Sequence, residues 1–180
     1  VPGRNVLRLS EKISFEQAAA GGLVFLTAWQ MLVDKAHVQP GEDVLAVGVG
    51  SGIGSAAIQI AKLFGARVIA TTSTEEKAEK ARNLGADEVI NYKKENVVEV
   101  VRRLTGKKGV EVVIDHVGKS VWEECIKSLS KGGRLVTCGA TSGHDAMTDL
   151  RYVFYKQLQI LGSTMGRKGD LITILKFIEE

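Results

Sequence analysis

Residues 44–72 read VLAVGVGSGIGSAAIQIAKLFGARVIATT, and this stretch is the strongest indication of the fold of the 180-residue chain. The apolar run at 44–47 enters a loop with glycine at positions 48, 50, 52 and 54. An apolar-rich segment then extends to Gly65, and a second apolar run begins at Val68. This order predicts a strand, a glycine loop, a helix and a strand. In such a unit, backbone N–H groups and the positive end of the helix form a cradle for phosphate.

The rest of the chain repeats this alternation of strand and helix. A long helix is predicted over residues 15–38, before the Pro-Gly pair at 40–41. The glycines at 65, 85, 106 and 132 each end a helical pattern, because a tight turn into a strand needs a left-handed residue. The further strands are predicted at residues 68–71, 88–90, 110–115, 135–138 and 158–161. Their Val/Ile-rich runs barely alternate, so they predict an α/β fold, a Rossmann-type doubly wound parallel sheet.

The two ends of the chain indicate a piece of a longer protein. The sequence begins at Val1 without a methionine, and residues 174–180 follow an apolar helical pattern with no Gly or Pro to end it. We therefore expect residues 1–14 to be a lead-in from a missing catalytic domain. Residues 15–180 are predicted to form one dinucleotide-binding domain, truncated at both ends and incomplete at its C-terminus.

Composition and charge narrow the class of protein. The chain is 44% hydrophobic and 25% charged, with a formal net charge of +3 and basic residues scattered among acidic ones. This argues against a nucleic-acid partner, and no apolar run is long enough to predict a membrane span. Cys125 and Cys138 form no CxxC pair and lie in apolar surroundings, which is typical of free thiols in a reducing compartment. A cytoplasmic location is the resulting expectation.

The glycine loop alone leaves its ligand open. The strict Gly-x-Gly-x-x-Gly pattern fails, since the third position falls on Ile53 or on Ser55. The spacing also resembles the acidic-x-Gly-x-Gly-x-Gly loop that binds S-adenosylmethionine in methyltransferases, with Ala46 where an acidic residue is usual. A methyltransferase domain and a non-enzymatic dinucleotide-binding module therefore stand as alternatives to an oxidoreductase.

The end of the second predicted strand bears on which nucleotide binds. A carboxylate there would hydrogen-bond the ribose hydroxyls of NAD, but the sequence has Thr72 and Ser73. These hydroxyls and Lys77 can instead bind a 2′-phosphate, which a carboxylate would repel. Glu75 and Glu76 place negative charge nearby, although Ser73 and Glu76 also fit a helix-capping box. The sequence therefore favours NADP, with NAD as the alternative.

Six motifs in order resemble the medium-chain dehydrogenase/reductase superfamily, most of all its quinone-oxidoreductase and zinc-type alcohol dehydrogenase branches. The motifs are AAA…LTAW at 18–29, GSGIGSAAIQIAKLFGA at 50–66, ADEVINY at 86–92, VVIDHVG at 112–118, GGRLVTCGATSG at 132–143 and QILGSTMG at 159–166. The resemblance implies that this is the coenzyme-binding domain alone. It also implies that the intact enzyme transfers hydride to or from a small carbonyl, quinone or alkene.

The resemblance further implies a set of cofactor contacts, with the catalytic residues outside this chain. For the pyrophosphate, the implied residues are Gly50 and the amides of Ser51, Gly52 and Ile53. For the adenosine ribose and its 2′-phosphate, they are Thr72, Ser73, Lys77 and Tyr92. Val117 and Gly118 would lie beside the adenine. Gly139, Ala140 and Thr141 would run towards the nicotinamide, and Ser163, Thr164 and Met165 would lie near its amide.

One departure from the family pattern concerns zinc. Zinc-type alcohol dehydrogenases have a cysteine ligand shortly before the Thr of the LTAW-like segment, and Leu23 stands at that place here. Leucine cannot bind zinc, so the zinc-free, quinone-reductase-like interpretation is favoured. His116, at the end of a predicted strand, borders the cofactor cleft. Asp115 is expected to be a strand-end hydrogen-bonding residue rather than a catalyst.

The resemblance also sets expectations for the protein as a whole. We expect the intact protein to act on a small molecule and to form a homo-oligomer. The chain by itself is expected to bind cofactor weakly and to catalyse nothing.

Overall fold

The computed structural model describes residues 2–3 and 6–179, and its centre is a six-stranded parallel sheet. The strands are β1 (Asp43–Ala46), β2 (Arg67–Thr72), β3 (Glu88–Asn91), β4 (Val110–Asp115), β5 (Leu129–Thr137) and β6 (Gln159–Gly162). Their order across the sheet is β3-β2-β1-β4-β5-β6. The chain thus runs outward from β1 in one direction and then from β4 in the other. The predicted doubly wound Rossmann-type sheet is confirmed.

Seven α-helices connect and cover the described strands. They are α1 (Phe15–Trp29), α2 (Gly52–Leu63), α3 (Glu75–Asn83), α4 (Val97–Leu104), α5 (Lys119–Ser128), α6 (Leu150–Lys156) and α7 (Lys168–Glu179). A π-helical segment, Gln30–Lys35, continues α1, so the predicted helical stretch over 15–38 is confirmed as far as Lys35, with a change of helix type at Gln30. None of the helices in the described part of the chain has the length and apolar composition needed to cross a bilayer.

The glycine turns are confirmed at three of the four predicted places. Gly65, Gly85 and Gly106 follow α2, α3 and α4 with φ of +72°, +102° and +57°. Gly132 also has a positive φ, +76°, but it lies inside β5 rather than at a helix end. The helix α5 ends at Ser128 and passes directly into β5, where the pairing with β4 shifts register. Because the pairing is irregular here, β5 can accommodate a glycine with a positive φ.

The sheet is covered on both faces, which explains its unbroken apolar strands. Val44, Ala46 and Val68 point to the face covered by α1, α2 and α7. Their neighbours along the strands, Leu45 and Ile69, point to the face covered by α4 and α5. Because alternate residues of a strand face opposite sides, both sets must be apolar. This double cover leaves only the two ends of the strands open for binding.

Candidate functional site

The glycine loop follows the carboxyl end of β1 and leads into α2. The Ser51 hydroxyl caps the helix by accepting a hydrogen bond from the Gly54 amide at 3.1 Å. The Ser51 amide donates to the Gly48 carbonyl at 3.1 Å within the turn. The amides of Gly52 and Ile53 donate to no group in the described part of the chain. Free amides at the positive end of a helix are the donors that a phosphate requires.

Close contacts explain three of the loop glycines. A Cβ on Gly54 would lie 2.5 Å from the Cα of Val49, so only glycine lets α2 approach β1 this closely. A Cβ on Gly52 would lie 2.8 Å from a methyl of Val24 in α1. A Cβ on Gly50 would lie 2.8 Å from Cδ and 3.3 Å from Nζ of Lys77. The Lys77 ammonium group therefore lies over the glycine loop.

The Lys77 side chain is exposed and makes no ion pair within residues 2–3 and 6–179. Glu76 pairs with Lys80 at 2.7 Å, and Glu75 pairs with Arg82 at 3.0 Å. The two carboxylates next to the loop thus have other basic partners, and Lys77 remains available to an anion. The combination of free amides and an unpaired cation fits the phosphates of a dinucleotide.

The end of β2 differs in part from its sequence-based prediction. Thr72 is only 2% exposed, and its buried hydroxyl has no partner among the described residues. The carbonyl of Thr72 accepts from the Tyr92 amide at 3.0 Å, while the Tyr92 side chain is 49% exposed. The predicted Ser73–Glu76 capping box is wrong, because the cap of α3 is Thr74, which accepts from the Lys77 amide. The half-buried Ser73 is therefore free of the capping role.

A cavity of about 280 Å³ opens between the strand ends and the helices α4 and α5, and we call it the α4–α5 cavity. It is lined by Leu45, Val47, Gly48, Thr71, Tyr92, Val97, Val117, Ser120, Val121, Glu124 and Cys125. Of these, Tyr92 and Val117 were predicted to lie beside the adenosine. Sequence reasoning did not predict Glu124 as a residue of this cavity, because the burial of a residue on a helix is known only once the neighbouring helix is placed.

Asp115 fixes the backbone that follows β4. It is fully buried, and its carboxylate accepts from the amides of Val117 at 2.8 Å and Gly118 at 3.1 Å. It also accepts from the Thr137 hydroxyl at 3.1 Å, which joins the ends of β4 and β5. The predicted hydrogen-bonding role of Asp115 is confirmed. Gly118 has a φ of +84° and caps the start of α5; it does not line the α4–α5 cavity, and its predicted place beside the adenine stays a prediction.

A second cavity, of about 410 Å³, lies on the other half of the same edge, and we call it the β5–β6 cavity. Its lining includes Gly139, Ala140 and Ser163. A Cβ on Gly139 would lie 2.8 Å from the His116 carbonyl, so the two strand ends pack backbone to backbone. The Thr141 hydroxyl donates to that same carbonyl at 3.3 Å. These predicted contacts come together on one side of the glycine loop.

The loop after β6 continues this edge. The Ser163 amide donates to the Thr137 carbonyl at 2.9 Å, and the Ser163 hydroxyl is buried without a partner among the described residues. Thr164 and Met165 are exposed, and Met165 has a φ of +52°. A Cβ on Gly166 would lie 2.7 Å from a methyl of Leu26, so this loop packs against α1. The structure thus aligns the predicted nicotinamide-side residues along one edge.

Burial shifts three ionisable groups in or near the cleft towards their neutral forms. Burial lowers the pKa of His116, although the neighbouring Asp115 charge raises it. Burial raises the pKa of the Cys138 thiol to about 11, and it raises the pKa of Cys125 as well. Burial thus favours the protonated thiol over the nucleophilic thiolate at both cysteines.

The described residues do not form a zinc site. Leu23 is 55% exposed and has no atom that could bind a metal. Across residues 2–3 and 6–179, no three His, Cys, Asp or Glu side chains come together in a way that could hold a metal ion. The residues present therefore do not fit the catalytic zinc of the alcohol dehydrogenase branch. Whether the intact protein is zinc-free stays a prediction.

The glycine cradle, the cation above it and two cavities along the carboxyl edge define a dinucleotide-binding domain of the Rossmann type. The sequence matches the family of zinc-binding dehydrogenases over residues 52–180. The chain belongs to this family, within the medium-chain dehydrogenase/reductase superfamily, and has the cofactor-binding domain of an NAD(P)H-dependent oxidoreductase.

Individual relatives agree with this assignment. A quinone oxidoreductase of Salmonella typhimurium is 43% identical over 135 residues, which are 75% of this chain and 41% of that protein. A solved structure of an NAD-dependent alcohol dehydrogenase is 52% identical with a TM-score of 0.95, and the match covers 99% of this chain and 52% of that one. A 2-octenoyl-CoA carboxylase reductase in complex with NADP and 2-octenoyl-CoA is 30% identical with a TM-score of 0.87, and the match covers 96% of this chain and 43% of that one. The chain spans about half the length of the relatives that it matches.

Proposed function

We propose that this chain is the NADP(H)-binding half of a larger oxidoreductase that reduces a quinone, an activated alkene or a carbonyl compound. The position of Lys77 supports the proposal most directly. Its ammonium group lies over the glycine loop, beside two free amides and at a strand end that has no carboxylate. A 2′-phosphate or pyrophosphate placed there meets donors and positive charge together.

The residues of this chain would bind and orient the dinucleotide. The amides of Gly52 and Ile53 would bind the pyrophosphate, and Lys77 and Ser73 the 2′-phosphate. The backbone at 139–141 and 163–165 would hold the nicotinamide ring on the β5–β6 side of the loop. When bound, the nicotinamide supplies the hydride. The substrate would be held by the rest of the enzyme, since the chain spans about half the length of its relatives.

The choice of NADP over NAD depends on charge near the end of β2. Glu75 and Glu76 would oppose a 2′-phosphate, but both pair with basic side chains of α3. Among the similar structures, one is named for NAD and another holds NADP, so their names do not decide the question. The unpaired Lys77 favours NADP.

The test is a comparison of dissociation constants for NADPH and NADH, measured by nicotinamide fluorescence on the full-length protein. We expect tighter binding of NADPH, because only NADPH has the 2′-phosphate that pairs with Lys77. Lys77→Met should weaken NADPH binding about tenfold, the size of one charge-assisted hydrogen bond. It should change NADH binding much less.

Lys80→Met is the matched control, because Lys80 lies on the same helix but pairs with Glu76. Equal loss in both variants, or tighter binding of NADH by the unmodified protein, would contradict the preference for NADP. A thermal-shift measurement with S-adenosylmethionine tests the methyltransferase alternative, which the family assignment does not favour. Reduction of a quinone with NADPH by the full-length protein separates the enzyme from a non-enzymatic binding module.

Three further properties belong to the same proposal. The compartment is the cytoplasm, in keeping with the free thiols of Cys125 and Cys138. The intact protein is a homo-oligomer, in keeping with the exposed aromatic side chains of Phe154 and Tyr155 on α6. This chain alone catalyses nothing, because the proposed substrate-binding part lies elsewhere, and NADPH oxidation by the isolated chain would contradict that.

A further inference from the structure

A half-buried carboxyl group without a partner lines the α4–α5 cavity. Glu124 on α5 contributes to the cavity wall and makes no hydrogen bond or ion pair with the residues that the structure describes. Its neighbour Lys127 pairs instead with Glu123 at 2.6 Å. Burial raises the pKa of the Glu124 carboxyl and the charge of Glu123 raises it further, while the charge of Lys127 lowers it. A partly desolvated carboxylate is costly unless a donor reaches it.

The rest of the cavity has a different character. Leu45, Val47, Val97 and Val121 give it apolar walls. A ligand that fits both features is flat and apolar on its faces and has an N–H donor on its edge, because an ionised carboxylate can only accept hydrogen bonds. A purine base with an exocyclic amino group has this chemistry.

The position of the cavity identifies which part of a dinucleotide would enter it. Thr71 and Tyr92 place its mouth at the ends of β2 and β3, the half of the edge where Lys77 lies over the glycine loop. The β5–β6 cavity lies on the opposite half. If the pyrophosphate lies on the glycine loop, the adenosine would enter the α4–α5 cavity and the nicotinamide the other.

We propose that Glu124 accepts a hydrogen bond from the 6-amino group of adenine and thereby selects the adenine base of the cofactor. The inference rests on the proposed function, since it requires that a dinucleotide binds to this edge. It adds a specificity-determining side chain on α5 to the backbone and hydroxyl contacts at the strand ends.

The test compares NADPH with its deamino form, reduced nicotinamide hypoxanthine dinucleotide phosphate, by fluorescence titration of the full-length protein. The deamino form has an oxygen in place of the 6-amino group, so an acceptor would face the Glu124 carboxylate. We expect the unmodified protein to bind it about tenfold more weakly, as for a lost hydrogen bond to a charged group.

Two variants separate recognition from packing. Glu124→Leu should bind the two dinucleotides about equally, because neither form then meets an acceptor. Glu124→Gln keeps the shape of the side chain and has an amide that can donate to the 6-oxygen, so the preference for NADPH should shrink or reverse. Glu99→Gln is the control, since Glu99 is an exposed carboxylate on α4 that does not line the cavity, and it should keep the full preference.

The outcomes distinguish the two proposals. Equal binding of both dinucleotides by the unmodified protein would overturn the role of Glu124 while leaving the proposed function standing. A tenfold preference that persists in both Glu124 variants would overturn it too. Failure to bind either dinucleotide would contradict the proposed function itself.

Discussion

His116 shows how burial disfavours the charged form of a side chain. Its Nδ1 atom is buried without a partner among the described residues, and its ring packs on the glycine loop. A Cβ on Gly48 would lie 3.2 Å from the ring carbon Cε1. A protonated ring would have to bury an N–H group with no acceptor, so the neutral form is favoured in the fold.

Stability should therefore fall as His116 becomes protonated. Burial lowers the pKa of His116 in the fold below its ordinary value of 6.5, which the unfolded chain keeps. Its contribution is complete above pH 6.5 and is lost as the pH falls from 6.5 through the lower pKa of the folded state. In His116→Gln this contribution is absent. Urea unfolding at a series of pH values from 7.5 to 5 should show a smaller loss of stability for the variant, and parallel curves would contradict the prediction.

At the scale of residues, sequence reasoning named groups whose positions the structure now shows. Lys77 was predicted, as a neighbour of Thr72 and Ser73, to pair with a 2′-phosphate, and its side chain lies over the glycine loop. Thr72 was predicted to contact the same phosphate, and its hydroxyl is buried without a partner among the described residues, so both contacts stay predictions. The N-cap fell on Thr74 rather than Ser73, since either hydroxyl can begin a helix.

At the scale of elements, the close approach of α2 to β1 sets the geometry of the cradle. Gly54 lies in the first turn of α2, directly against Val49 of the loop. Any side chain at this position must push the helix away from the strand. The free amides of Gly52 and Ile53 would then move out of line with the loop, so this contact supports both the fold and the binding site.

Gly54→Ala should accordingly destabilise the domain and weaken cofactor binding together. The new Cβ would lie 2.5 Å from the Cα of Val49, and backbone cannot move aside as a flexible side chain can. We expect a loss of about 1–3 kcal/mol in the free energy of unfolding, as for other overpacked sites. Gly169→Ala in α7, where nothing lies within 4 Å of the new Cβ, should leave stability nearly unchanged. Equal unfolding midpoints in urea for the two variants would refute this explanation.

The strands were more predictable than the helices for a physical reason. A strand buried on both faces is apolar at most positions, so the runs at 44–47 and 110–115 identified β1 and β4 almost to the residue, although Glu111 and Asp115 interrupt the second run. The change from α-helix to π-helix at Gln30 leaves the apolar spacing intact, so nothing in the pattern reveals it. Gly132 was wrongly predicted to end a helix, because a glycine with a positive φ suits an irregular strand as well as a helix end.

For the molecule as a whole, an apolar surface lies beside one edge of the sheet. Met147, Leu150, Phe154 and Tyr155 are between 69% and 89% exposed, which is unusual for side chains of this size. They lie on or just before α6, which precedes β6 in the chain and packs against β5 and α5. The outer edge of β6 has no strand partner in the described part of the chain. A second copy of the protein would cover this surface in the proposed homo-oligomer.

Phe154→Glu should therefore lower the molecular mass of the full-length protein in solution. The charge would be buried in the interface, so the oligomer should dissociate to smaller species in size-exclusion chromatography with light scattering. Phe15→Glu, at an equally exposed aromatic residue of α1, is the control and should leave the mass unchanged. A monomeric unmodified protein, or an unchanged mass in Phe154→Glu, would contradict the assignment.

Because the binding groups lie together only in the folded protein, a bound cofactor also stabilises the protein against unfolding. The cradle's free amides and the Lys77 ammonium face a ligand that contacts the folded state alone. By mass action, free cofactor at 100 times its dissociation constant adds about 2.7 kcal/mol to stability. That is a large fraction of the 5–15 kcal/mol that holds a typical domain folded. In a cell depleted of the dinucleotide, the apo protein would unfold more often and be degraded sooner, so its abundance would follow the cofactor pool.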